Sequence, residues 1–366
     1  MLFTPEAHEA LSDAPWSAER ARAAVASIVA DAEGAFDDGW TMHPVDVEEG
    51  DNPATRFRTV HIGGAGVVAA LYRLAQRGLA ELRRDYVPYL ERSLEAEPDF
   101  PDWDAERSLW MGETGIRLVL QRLAPSPANL ERLSELIAAN ERDERCELMF
   151  GSPGTILAGR ELGLDVTASV RWLEGRRDTE GLWTQQLFGR STRSLGPAHG
   201  FAGCVLALGD VADVSETLER QAVWEDGLVN WPPAQGIRLD ANGDGRIRTQ
   251  WCHGAPRIVA TLAPMLDEEL AIAGGELAWR AGPLQKGAGL CHGTAGNGYA
   301  FLALLDRTGD ERWLTRARAF AMHAAAQVER SRSEYGRGRH TLWTGDLGAA
   351  LYLADCVDGE GELPLP

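Results

Sequence analysis

The sequence predicts an all-α protein, an α/α toroid or double-layered barrel of seven inner and seven outer helices. Three observations lead there. The frame Gly-x-x-Gly, followed by an apolar helix-like run, occurs at Gly63/Gly66, Gly112/Gly115, Gly151/Gly154, Gly200/Gly203, Gly293/Gly296 and Gly345/Gly348, and a seventh copy at Gly254 carries Arg257 where the second glycine would stand. Successive first glycines lie 49, 39, 49, 54, 39 and 52 residues apart, and periods of that size mark stacked supersecondary units. The strict apolar–polar alternation of a half-buried strand is nearly absent.

Each unit reads as two helices. One follows the glycines, as in Val67-Val68-Ala69-Ala70-Leu71-Tyr72-Arg73-Leu74, and is rich enough in small and apolar residues to be buried on most sides. The other is amphipathic and more charged, as from Leu79 to Leu94 or from Ala128 to Asn140, with apolar residues at helical spacing. The opening outer helix, near Ser17 to Glu33, is expected to close the ring against the last inner helix, near Asp346 to Cys356. Glycines without Cβ let the chain turn sharply and let the inner helix starts crowd around the axis. Those starts share one rim and aim amide N–H groups at it, which favours developing negative charge there. The long irregular segments near residues 34–60, 176–198 and 224–250 lead into the same rim. Their tryptophans Trp40, Trp183, Trp224 and Trp231 predict packed, functional loops. No linker, low-complexity tract or change of composition divides residues 1–366, so a single domain is expected.

The bulk properties exclude several classes. A net charge of −19 repels phosphate backbones and argues against nucleic acid as a partner. No run reaches the roughly 18 apolar residues a membrane span needs, and Met1-Leu2-Phe3-Thr4-Pro5-Glu6 shows no basic region ahead of an apolar one. Five cysteines without framework spacing point to a reducing compartment rather than a disulfide scaffold. A soluble, acidic, cytoplasmic protein with no membrane partner is the expectation.

The chemistry concentrates in Trp251-Cys252-His253-Gly254 and Leu290-Cys291-His292-Gly293. Two thiols and an imidazole are a borderline-soft ligand set suited to Zn²⁺, and three protein ligands leave a fourth position open, the mark of a catalytic rather than a structural zinc. The 39-residue separation of the two cysteines is too wide for a zinc finger, so a large fold must bring them together. A second run, Asp240-Ala241-Asn242-Gly243-Asp244-Gly245-Arg246-Ile247, resembles the opening of an EF-hand calcium loop, but Trp251 stands where the bidentate Glu belongs. A tight Asn-Gly/Asp-Gly turn before Cys252 is the preferred reading.

The stretches Trp251-Cys252-His253-Gly254-Ala255-Pro256 and Lys286-Gly287-Ala288-Gly289-Leu290-Cys291-His292-Gly293-Thr294-Ala295-Gly296-Asn297 resemble the two zinc motifs of the lanthionine synthetase C-like family. With the seven glycine frames, the likeness runs from about residue 55 to about residue 356. The resemblance implies an α/α toroid, with zinc held by Cys252, Cys291 and His292. It also implies an acid/base role for His199, in Ala198-His199-Gly200, and places Glu147 where lantibiotic cyclases have an aspartate and eukaryotic relatives a glutamate. The form Lys-Gly-x-Gly-Leu-Cys-His-Gly is similar to the free-standing, glutathione-binding branch, in which the residue matching Lys286 lies in the anion-binding part of the site. Arg257 departs from the family glycine, so that helix start is expected to be reshaped, or an extra cation to face the site. No fused dehydratase is expected.

The ligand set then implies a reaction. A thiol brought to the open zinc position ionises and adds to the β-carbon of a dehydroalanine or dehydrobutyrine residue. His199 moves the proton, and Glu147 takes part in the transfer or orients its partner. The thiol is glutathione or a peptide cysteine, and the electrophile a dehydroamino-acid-containing peptide or protein. A non-catalytic zinc-containing adaptor that binds glutathione or a peptide is the alternative.

Overall fold

Helix boundaries follow local chain chemistry, and a computed structural model describes them for residues 2–237 and 246–364. Outer α1 (Ala18–Gly34) starts where the Ser17 side chain accepts the Arg20 N–H, a standard N-cap. Inner α2 (Gly64–Gln76) follows, then outer α3 (Val87–Glu95), inner α4 (Glu113–Leu123), outer α5 (Pro127–Ala139) and inner α6 (Ser152–Leu162). The alternation continues through α7 (Thr167–Glu174), α8 (Phe201–Leu208), α9 (Val214–Gln221) and α10 (Ala255–Leu262). It ends with α11 (Glu268–Ala281), α12 (Thr294–Thr308), α13 (Glu311–Tyr335) and α14 (Asp346–Asp358). Every even-numbered helix begins directly after the first glycine of a frame, so the two-helix unit read from the repeat is the unit that forms.

Burial separates the layers. In α14 every residue from Asp346 to Cys356 is buried, whereas α3 buries only Tyr89, Leu90 and Ser93. A helix hidden on all sides belongs to an inner layer, and one with a single apolar stripe covers it from outside. The frame glycines explain how inner helices start so close together. A Cβ on Gly296 would lie 1.8 Å from the Leu290 carbonyl oxygen, and one on Gly66 2.0 Å from that of Val60. Only hydrogen fits between those atoms.

The ring closes as expected. α1 packs against α14 and α13, and Asp31 on α1 accepts hydrogen bonds from Gly338 N and His340 Nε2, both at 2.9 Å. The His340 contact, ahead of the Arg332 charge, holds the Asp31 carboxyl down to about 2.

Three details differ from the sequence reading. α3 starts at Val87 rather than near Leu79: Pro88 belongs in a first turn, and the buried Glu33 carboxylate accepts the Arg83 N–H at 2.8 Å and the Tyr86 hydroxyl at 3.2 Å, pulling the preceding segment into a loop. Trp40, Trp183 and Trp231 are buried, with indole N–H groups on the carbonyls of Ala32, Leu173 and Leu218 at 2.7, 2.7 and 2.8 Å. Trp224 instead stands 43% exposed on β3 (Val223–Glu225), the outer strand of a small hairpin with β4 (Leu228–Asn230). A second hairpin joins β1 (Gln185–Leu187) and β2 (Arg190–Thr192). Asp240 to Gly245 of the calcium-loop-like run lie outside the described residues. Among the described residues no helix is long and apolar enough to cross a membrane.

Candidate metal centre and acid–base pair

The residue two before each first glycine is His61, Trp110, Met149, Ala198, Cys252, Cys291 or Trp343. Backbone hydrogen bonds link these positions from unit to unit. His61 N donates to Trp110 O at 3.1 Å, Met149 N to Ala198 O at 3.3 Å, Cys252 N to Cys291 O at 2.9 Å, and Cys291 N to Trp343 O at 2.8 Å. The girdle turns two cysteines 39 residues apart into neighbours on one rim.

The consequence is a donor cluster. The Sγ atoms of Cys252 and Cys291 and a ring nitrogen of His292 all lie within 4.8 Å of one another, each half-buried. Hydrogen bonding from the Cys291 thiol, more than from His253 and His292, pushes Cys252 well below the usual thiol range, while that same contact and burial push Cys291 up. Two cysteine sulfurs, one of them inclined to ionise, beside an imidazole are a set that a soft divalent ion completes by displacing thiol protons, so the residues fit zinc. Gln250 Nε2 donates to Cys252 Sγ at 2.7 Å, an outer contact of the kind that orients a ligand. His253, whose Nδ1 is 3.4 Å from Cys252 Sγ, is not in the cluster.

Arg257 resolves its own departure from the frame. Its side chain is buried and reaches the Cys252 carbonyl at 3.2 Å and the Pro232 carbonyl at 2.7 Å. It ties the ligand loop to the preceding segment rather than presenting a cation to the rim, and burial lowers its pKa to about 10. The helix start is reshaped with it: Gly254 takes φ +97°, where the first glycines of the other frames lie between −90° and −139° or, at Gly200, near 180°. A left-handed backbone at that point needs glycine.

Glu147 and His199 meet across the girdle. Glu147 is fully buried at the start of α6, where its carboxylate accepts Met149 N at 3.0 Å, Phe150 N at 2.7 Å and Gly151 N at 3.1 Å. The solvated carboxylate that charge alone would suggest is therefore replaced by one held by three backbone N–H groups of the turn that leads into α6. His199 Nδ1 sits 2.9 Å from Glu147 Oε2. An ionised carboxylate only accepts, so Nδ1 carries the proton and Nε2 is the nitrogen left to exchange one. Burial lowers the His199 pKa, but the hydrogen bond and charge of Glu147, with a smaller contribution from Cys252, outweigh it, and the net shift is upward.

Lys286 is exposed on the loop before Cys291, and its charge, with that of Arg339, favours the Cys291 thiolate. Arg339 was not expected; it is held by both carboxylate oxygens of Asp46. Also unexpected is His61, stacked on Trp110 at 5.5 Å and Trp343 at 6.2 Å between ring centroids. Its position two residues before Gly63, the place occupied by Cys252 and Cys291 in their frames, was the signal that could have found it.

Residues 58–364 match the family described as lanthionine synthetase C-like protein. LanC-like protein GCL1 of Arabidopsis thaliana is 34% identical over 185 residues, 45% of this chain and 41% of that protein. Glutathione S-transferase LANCL1 of Danio rerio is 44% identical over 130 residues, 31% of this chain and 30% of that protein. The matches thus span less than half the length of these relatives. Among solved structures, nisin cyclase aligns with a TM-score of 0.48 and 15% identity over 83% of this chain and 94% of that one.

Proposed function

Because the chain belongs to the lanthionine synthetase C-like family, we propose that it is a zinc-dependent enzyme that forms thioethers, adding a thiol to dehydroalanine or dehydrobutyrine residues. The observation that carries this reading is a three-donor thiol and imidazole cluster beside a carboxylate-held histidine. Zinc, held by Cys252, Cys291 and His292, would supply a centre that keeps a substrate thiol ionised near neutral pH.

The chain's own groups divide the remaining work. His199 Nε2 takes the proton that the thiol gives up as it ionises, and after the carbon–sulfur bond has formed the imidazolium returns a proton to Cα of the resulting enolate. Glu147 fixes the tautomer and stabilises the imidazolium between those two events. Three backbone N–H groups hold Glu147 itself, so the pair is rigid. The frame glycines aim helix starts at the same rim, a favourable field for the developing negative charge. Lys286 offers a cation to an anionic thiol such as glutathione, against an overall charge of −19.

The deciding experiment incubates zinc-loaded protein with a dehydroalanine peptide, with and without glutathione, and reads mass. An added glutathione assigns thiol transfer to a protein or peptide electrophile. A product isomeric with a cysteine-containing substrate assigns intramolecular ring closure. Zinc and glutathione bound without any thioether would leave a non-catalytic adaptor.

A further inference from the structure

His61 occupies the ligand position of the first glycine frame without being a ligand. Its backbone N–H lies in the same girdle that holds the cysteines, donating to Trp110 O at 3.1 Å. Its ring lies nearly parallel to Trp110 and Trp343, with interplanar angles of 23° and 29°, and these packed indoles fix its direction. The ring shares the electrostatic environment of His199 from the acid–base pair and of Cys252 and His292 from the metal centre. It does not join the three-donor cluster. Nδ1 is shut away from solvent without a hydrogen-bond partner, so Nε2 is the nitrogen that can meet a ligand. A buried ring nitrogen left without a partner calls for an explanation.

We propose that His61 is a further catalytic residue, whose Nε2–H donates a hydrogen bond to the carbonyl oxygen of the dehydroamino acid as the new carbon–sulfur bond forms. The inference rests on the thioether-forming reading. In that step the sulfur lone pair attacks Cβ, the Cα–Cβ double bond breaks, and its electrons move through Cα to the carbonyl oxygen. The thiol proton has passed to His199, which then protonates Cα, and His61 keeps its own proton throughout. Burial, more than the charges of His199 and His292, lowers the His61 pKa to about 3, so the ring is neutral at working pH and acts as a fixed dipole. A preorganised neutral donor at the atom where charge develops strengthens as the reaction proceeds and needs no proton transfer of its own.

The test compares His61→Phe and His61→Gln in zinc-loaded protein. Phenylalanine keeps the stack on Trp110 and Trp343 but removes both nitrogens, and glutamine places an amide N–H near the lost Nε2. Expected for His61→Phe are full zinc content, a kcat for the dehydroalanine peptide lower by about 10²-fold, the scale of one lost oxyanion donor, and an unchanged KM for the thiol. His61→Gln should recover part of kcat with both limbs of the pH profile unmoved. As a readout independent of turnover, an S-ethylcysteine peptide should shift a ¹⁵N-histidine signal that is missing in His61→Phe. Should His61→Phe fail to fold, His61→Met carries the same expectation. Unchanged turnover in His61→Phe, or zinc loss in both variants, overturns the role of His61 while thioether formation by the wild type stands. Absence of any thioether from the wild type with either thiol defeats the functional reading, and the His61 role with it.

Discussion

Two arcs of one girdle use the same backbone for opposite purposes. At Cys252 and Cys291 the position two before the frame glycine carries a thiol, the side chains are half-buried, and the donors cluster within 4.8 Å. At Trp110 and Trp343 the same position carries an indole, both are fully buried, and their rings stack at 4.3 Å. Trp251, next to Cys252, joins the indoles at 4.6 Å from Trp343, so the aromatic stack reaches the residue beside a thiol. The difference teaches that the glycine frame supplies location and the residues just before it supply chemistry. One arc is packed for stability, while the other is left open to a ligand.

The largest test of that division is removal of the ligands. Cys252→Ala, Cys291→Ala and His292→Ala should each lose bound zinc and all thioether formation, with helicity retained, while His253→Ala keeps a full zinc complement. Metal analysis by mass spectrometry decides it, and zinc loss in His253→Ala but not in His292→Ala would overturn the assignment. On the aromatic arc the expectation inverts. Trp110→Ala should cost about 3–5 kcal/mol of stability, the usual scale for truncating a buried aromatic, with zinc still bound stoichiometrically. A denaturant titration and a metal count on the same sample measure both.

A smaller effect separates chemistry from binding on the open arc. His199→Ala should retain zinc and fold but lose about 10²-fold or more in rate, the scale of a general acid–base group. The sign with pH follows from Glu147. Its carboxylate favours the imidazolium, so the His199 limb of the rate profile should lie above the ordinary pKa of 6.5. Glu147→Gln removes that bias and should move the limb to lower pH. A limb that stays put would detach Glu147 from His199 titration. The smallest effect belongs to Lys286. It is exposed, and exposed charge pairs contribute about 1 kcal/mol or less, so Lys286→Ala should raise the KM for glutathione only a few-fold at unchanged zinc content. Identical glutathione dependence would remove Lys286 from the thiol site.

Legibility in the sequence followed the range of each interaction. Glycine frames and apolar spacing are local signals, and they placed all seven inner helices and the thiol and imidazole donors. Ser17 and the apolar stripe up to Glu33 likewise marked α1. The α3 start was misread because Glu33, some 50 residues away, captures Arg83 N–H and outweighs the helical spacing from Leu79. Its long loop predicts a packed Trp224, but the hairpin turns it outward. Arg257 announced a reshaped helix start, and only the fold showed its guanidinium turned to the Cys252 and Pro232 carbonyls.

By itself the sequence determined the repeat, the helix alternation and the residue types capable of holding zinc, because these depend on neighbours within a turn or two of chain. Tertiary structure alone decided which distant frames share an arc, that Glu147 is buried and bonded to His199, and that the His61 ring stacks on two indoles. Ring closure is of the same kind, with Asp31 on α1 bonded to His340 in the segment that leads into α14. Such contacts form between positions whose separation along the chain carries no local pattern.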